Sequence, residues 1–179
     1  MFAGIGGFHG ALSALGGECV YASEIDKDAA RIYSRNWGLQ PDGDITLAAN
    51  EDNMEVPEHD VLVGGFPCQD YSVAKPLNKA NGLEGKKGVL WWDIHRFLDS
   101  QKPKMAILEN VDRLLKSPSS QRGRDFAVML NTLGDEGYSI EWRVVNAAEY
   151  GFPQRRIRVF IIATKIKNFF GNFNHFFFG

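Results

Sequence analysis

Short apolar runs alternate along the chain with stretches whose apolar residues recur every three to four positions. The runs Met1–Ala3, Cys19–Ser23, Asp60–Gly64, Met105–Leu108, Ser139–Val145 and Arg158–Thr164 read as strands. Phe8, Leu12 and Leu15 fall on one helical face that stops at Gly16-Gly17. Asp28–Trp37 and Val89–Leu98 predict two more helices. Phe126, Met129, Leu130 and Leu133 predict a fourth, ending near Gly137. Strands alternating with helices predict an α/β fold. The expected sheet is mainly parallel, with helices on both faces and the final strand antiparallel. Such sheets bind ligands at the carboxyl ends of their strands. The Phe- and Asn-rich stretch 166–179 has no clear period. The expected organisation is therefore one domain over 1–165 and a tail without an assigned role.

Composition narrows the class. An apolar content of 44% and a charged content of 23% over 179 residues suit a globular domain with a real core. No uncharged apolar run approaches the ~20 residues of a membrane span, and the start has no secretory pattern. A cytoplasmic setting is expected, with Cys19 and Cys68 as free thiols and Cys19 buried and inert. No metal is expected. Charge is uneven: residues 1–60 carry 3 basic and 11 acidic groups, whereas 61–179 carry 17 and 11. A polyanion would prefer the second half, although solvated surface charge explains the count equally well.

Chemistry gathers where the predicted strands end. Phe2-Ala3-Gly4-Ile5-Gly6-Gly7-Phe8 follows a short strand and opens a helix. Its glycines let backbone approach a ligand, though a tight turn would use them too. Glu24, at the next strand's end, suits ribose hydroxyls. Asp26 reads better as a helix cap. Asp44 suits an adenine amine, with Ile25 and Ile45 flanking the base, or serves as a turn aspartate. These features propose an adenosine-bearing cofactor without separating a nicotinamide from S-adenosylmethionine. In Gly64-Gly65-Phe66-Pro67-Cys68 a rigid turn carries a thiol off a strand, which core packing does not call for. Glu109-Asn110 ends another strand, where a helix cap or surface turn is the competing explanation. Arg156 and Arg158 alternate on an extended stretch after Gln154 and should share one face; guarding a strand edge is the alternative.

In this order the segments resemble the cytosine-5 DNA methyltransferase family: Phe2-Ala3-Gly4-x-Gly6-Gly7, Glu24-x-Asp26, Gly43-Asp44-Ile45, Pro67-Cys68-Gln69, Glu109-Asn110-Val111 and Gln154-x-Arg156-x-Arg158. Gly82-Leu83-Glu84-Gly85 through Gly88-Val89-Leu90 is similar to that family's loop-to-helix motif. The resemblance covers about residues 1–165 and implies a Rossmann-like, S-adenosylmethionine-dependent methyltransferase fold. It implies that Cys68 attacks carbon 6 of a flipped cytosine while Glu109 meets ring nitrogen 3. Arg158 would bind the base carbonyl, with Arg156 supporting the pocket or a phosphate. It places the cofactor against Phe2, Gly4, Ile5, Gly6, Gly7, Glu24, Ile25, Asp44, Ile45, Pro67 and Leu90. Gln69, Ser72, Asn110 and Gln154 would be structural or face DNA, with Asn110 propping the Pro67-Cys68 turn. Duplex DNA is the implied partner, in a bacterial or phage modification setting; a transfer-RNA cytosine methyltransferase or an inactive fragment are the alternatives. The family's target-recognition domain and its last two motifs are not found, so the domain is expected to be incomplete at both ends. A second chain is one way to supply the rest, and little activity is expected of this chain alone.

Overall fold

The computed structural model describes residues 1–49, 54–67, 90–116 and 122–165. Helix α1 spans Gly7–Ser13, α2 Lys27–Trp37 and α3 Ile45–Ala49. Strand β1 (Val61–Gly65), helix α4 (Leu90–Gln101), strand β2 (Met105–Val111) and helix α5 (Arg124–Asp135) follow. Strands β3 (Ser139–Asn146) and β4 (Ile157–Thr164) close the described chain. Local chemistry sets the boundaries. The Asp26 carboxylate accepts from Ala29 N at 2.8 Å and starts α2, which stops at Gly38 in the left-handed region (φ 71°). The α5 stretch ends as its periodicity predicts, with Gly137 at φ 81°.

The four strands form one sheet in the order β1-β2-β4-β3. β1 and β2 are parallel, while β4 runs antiparallel to both β2 and β3. The expected antiparallel final strand is present, but the sheet is mixed rather than mainly parallel. The reason lies in two predicted strands that do not form. Phe2 sits at φ 52°, which breaks the extended run Met1–Ala3. That segment is held by Met1 N to Val63 O (2.7 Å) on one side and Ala3 N to Ser23 O (2.9 Å) on the other. Cys19–Ser23 contributes only a parallel bridge from Ser23 to Asp42. These single contacts line up beside β1 without forming strand-length ladders.

Even-numbered residues of β2 and odd-numbered residues of β4 face the core: Ala106 opposes Ala163 and Leu108 opposes Ile161. Trp91, Ile94, Phe97 and Leu98 of α4 and Phe126, Met129 and Leu133 of α5 complete that cluster, with Ile45 and Ala49 of α3. The other face is only half-buried at Ile107, Phe160 and Ile162. For these four strands, the expected cover on both faces is therefore described on one. No described helix is long and apolar enough to cross a membrane. The predicted tail, 166–179, lies outside the described residues.

Candidate active site

Strand β2 runs to Val111, three residues past the predicted end, so Glu109 and Asn110 are strand residues rather than a cap. Their side chains therefore point to opposite faces. Glu109 meets Arg158 from β4, with Oε1 to Nε at 2.7 Å and both side chains about a fifth to a quarter exposed. Arg158 Nη1 also donates to Ile157 O at 2.8 Å, so the guanidinium is held twice. Gly65 stands beside Glu109 in the parallel register, and a Cβ there would lie 2.9 Å from Glu109 Oε2. A bare position on β1 thus leaves room for the carboxylate.

Asn110 turns inward and is buried. Its Nδ2 donates to Phe66 O at 2.9 Å, and its Oδ1 accepts from Val111 N at 2.8 Å. A buried amide with both ends bonded is tolerated in a strand, and this one ties β2 to the residue before Pro67. Phe66 packs its ring 6.0 Å from that of Trp91. Pro67 is exposed; Cys68, Gln69 and Ser72 lie outside the described residues. The structure brings Glu109 to Arg158, but not Arg156 or Gln154. Both precede the start of β4 and stand exposed in the turn after Gly151. Strand β4 begins at Ile157, and Arg156, just before it, still accepts from Ala147 N at 3.0 Å through its backbone oxygen.

On the amino-terminal side, Glu24 Oε2 accepts from Gly4 N at 2.7 Å and Oε1 from Asp26 N at 2.9 Å. Each oxygen keeps lone-pair capacity for a further donor. Ile25 is exposed and offers an open apolar face, whereas Ile45 is buried in the core and does not. Asp44 Oδ1 accepts from Thr46 N at 2.9 Å and Thr46 Oγ1 at 2.8 Å, the local-turn role for which its sequence context also allowed. Ile5 is exposed, Phe2 half-buried, and Leu90 opens α4 half-buried against the core. Cys19 is half-buried rather than buried, with Sγ 3.4 Å from both Tyr21 O and the Tyr33 hydroxyl. Burial first, then Cys19, pushes the Tyr33 phenol above its ordinary range.

Sequence reasoning missed Trp37. Its Nε1 donates to Ile5 O at 3.0 Å, and its ring stacks on His9 at 4.4 Å. The available signal was the pair Gly6 and Gly10, four apart on one helical face. A cavity of about 470 Å3 lies elsewhere, between α1, residues 16–22 and the start of β1. Leu12, Cys19, Tyr33, Leu62 and Phe97 are among its walls, and neither Glu24 nor Glu109 reaches it.

The profile of C-5 cytosine-specific DNA methylases matches residues 1–176. The chain belongs to this family. It is 51% identical over 92% of its length to the Type II methyltransferase M.Sau3AI of Staphylococcus aureus, and spans 42% of that protein. It is 41% identical over 94% of its length to M.HhaI of Haemophilus parahaemolyticus, of which it spans 50%. It therefore covers about half the length of these curated methylases. Among solved structures it is similar to the S. pombe Dnmt2 methyltransferase, with a TM-score of 0.74 and 21% identity over 99% of this chain and 53% of that one. That likeness carries the methylase α/β fold.

Proposed function

We propose that this chain forms the cofactor-binding and catalytic part of a DNA cytosine-5 methyltransferase of a restriction-modification system. The observation that carries the reading is the Glu109–Arg158 pair, held beside Gly65 two residues before Pro67. The named relatives, both Type II methyltransferases, support the setting.

The residues present fit S-adenosylmethionine. Among the described residues a Cβ at Gly4 or Gly7 would meet nothing within 4 Å, which leaves room for a ligand near Glu24, whose carboxylate holds Gly4 N. Glu24, fixed by two backbone N–H groups, orients ribose hydroxyls, and Ile25 covers one side of the base. When bound, the cofactor supplies an electrophilic methyl group.

The protein's part is to make carbon 5 of cytosine nucleophilic. The Cys68 thiolate forms a bond to carbon 6 of a base swung out of duplex DNA, and the ring's electron pair moves toward nitrogen 3 and carbon 5. Glu109 and Arg158 would exchange their mutual ion pair for the base, the Glu109 carboxyl hydrogen-bonding nitrogen 3 and the Arg158 guanidinium stabilising the negative charge on the base carbonyl. Once carbon 5 carries the methyl group, its proton would pass to water, and the electron pair of that C–H bond would restore the ring double bond and expel the Cys68 thiolate. Asn110 keeps the turn before Cys68 at its height through Phe66 O. Arg156, exposed beside this site, meets a DNA phosphate.

The test uses the chain reconstituted into a full-length enzyme with a target-recognition part, and duplex DNA carrying 5-fluorocytosine, which cannot lose its carbon 5 substituent. Covalent trapping that depends on S-adenosylmethionine and disappears in Cys68→Ser is expected. Glu109→Gln should lower trapping by roughly 10²–10⁴-fold with cofactor affinity, read by calorimetry, nearly unchanged. Trapping by Cys68→Ser, or equal loss of both properties in Glu109→Gln, overturns the roles. Modification of transfer RNA in place of DNA overturns the substrate.

A further inference from the structure

We propose that Trp37 is a positioning residue for the glycine loop, so that helix α2 sets where that loop meets the cofactor; this rests on the cofactor reading above. The indole comes from the last residue of α2 and reaches back along the helix toward its amino end, as helical side chains do. It occupies the space that side chains at two other positions would need. A Cβ on Gly6 would collide with Trp37 Nε1, and one on Gly10 would lie 2.9 Å from Cη2. Gly6 is also in the left-handed region, at φ 97°. The indole N–H donates to Ile5 O, and the ring stacks on His9 with planes 18° apart. The His9 ring in turn bonds the Tyr33 hydroxyl at 2.7 Å, one turn earlier on α2. One ring is therefore gripped by Ile5, Gly6, His9 and Gly10.

The other side of the loop is held from the opposite end of the same helix. Glu24, two residues before the Asp26 cap of α2, takes Gly4 N. The loop is thus pinned at Gly4 by Glu24, just ahead of α2, and at Ile5 by Trp37, the last residue of α2. Trp37 lies outside the main buried cluster, so removing it leaves that core intact and its effect local. Phenylalanine would keep a ring against Gly6 and Gly10 but would lose the N–H that fixes Ile5.

Three measurements on the full chain test this. Hydrogen exchange without ligand reads the loop, calorimetry reads S-adenosylmethionine affinity, and thermal melting reads global stability. Trp37→Phe should speed amide exchange in residues 4–7, leave β2 and β4 unchanged, and weaken cofactor binding about 5-fold, the worth of one hydrogen bond. Melting should move little, which a residue with only a packing role would not produce alongside lost affinity. Gly10→Ala should lower the melting temperature of the parent chain, because its methyl meets the indole. In a Trp37→Leu background it should raise it, since alanine is the better helix former. Unchanged loop exchange in Trp37→Phe and Trp37→Leu, or the same sign for Gly10→Ala in both backgrounds, overturns the proposal. If exchange responds as expected but the parent chain binds no S-adenosylmethionine, the clamp stands and the cofactor reading falls.

Discussion

The two halves of the molecule are held together in different ways. From β1 onward, strands pair in registers five to eight residues long over a core of large aliphatic and aromatic side chains. Before α3, apart from Met1, Phe2 and Tyr21 packed on the edge of that core, the chain is held by single backbone hydrogen bonds and by side chains that reach across: Glu24 to Gly4, Trp37 to Ile5, His9 to Tyr33. Burying apolar area is non-directional and collective, so the second half tolerates loss of any one polar contact. The first half depends on individual contacts, each of which also shapes the loop proposed to meet the cofactor. Elements that meet ligands are commonly drawn from the less stable parts of a fold.

The largest expected effect breaks the stable side of that contrast. Leu108 of β2 is fully buried in the cluster that α4 and α5 complete. Leu108→Ala should cost about 2–5 kcal/mol of global stability in urea unfolding. Glu24→Ala should leave the urea midpoint close to the parent while abolishing tight cofactor binding. A large loss of global stability from Glu24→Ala would show that the halves are one cooperative unit.

A smaller effect sharpens the contrast where the halves meet the chemistry. Asn110→Asp keeps the acceptor for Val111 N but replaces the donor to Phe66 O with a carboxylate oxygen in a buried place. That should cost about 1–3 kcal/mol. It should also slow trapping of 5-fluorocytosine DNA more than Asn110→Ser, whose hydroxyl can still donate. Equal effects of the two substitutions would separate Asn110 from the Cys68 turn.

What was legible in the sequence follows the same division. Helices α2, α4 and α5 and strands β1, β3 and β4 declared themselves because an amphipathic period integrates over many residues. Met1–Ala3 and Cys19–Ser23 were misread as strands. Apolar character alone marks them, and neither the positive φ of Phe2 nor the shortness of the pairing is written in it. Glu109 and Arg158 were legible from their places at strand ends, but not that they would meet each other. That depends on β4 pairing with β2, which places Arg158 opposite Val111. Asp44 shows the limit of reading one acid by itself: its local partner Thr46 was available two residues away.

Tyr138 gives a third, smaller handle on the stable half. Its hydroxyl donates to Pro103 O at 2.7 Å in a buried setting, tying the start of β3 to the approach of β2. Burial, then Glu136, pushes the phenol up to about 12. A raised value means that the folded state favours the neutral form. Its contribution is therefore complete below pH ~10, the unfolded value, and is lost as pH rises toward about 12. Tyr138→Phe should cost about 1 kcal/mol at neutral pH and flatten that alkaline decline. An unaltered alkaline profile would assign the decline to other groups.

The smallest effect is expected at the Asp60–Lys104 pair, and its smallness is informative. The two residues precede β1 and β2, and Asp60 Oδ1 lies 2.7 Å from Lys104 Nζ. The hydrogen bond to Lys104, then its charge, holds the Asp60 carboxyl below its usual range, and Asp60 holds the Lys104 ammonium above its own. The depressed acid contributes only above its unfolded value and loses that as pH falls; the raised base contributes below its unfolded value and loses that as pH rises. Any benefit thus spans the pH range between ordinary carboxylate and ammonium titrations. Both side chains are about 70% exposed, so water and salt screen the attraction. A backbone bond also already joins the two strand starts, Met105 N to Asp60 O at 3.1 Å, while Lys104 O is held separately by Lys165 N at 2.9 Å. Lys104→Ala should therefore leave the melting temperature within error of the parent at 0.5 M salt and lower it only slightly at low salt. A clear loss that persists at high salt would mean that this end of the sheet also hangs on individual contacts, and that the division between the halves lies further along the chain than β1.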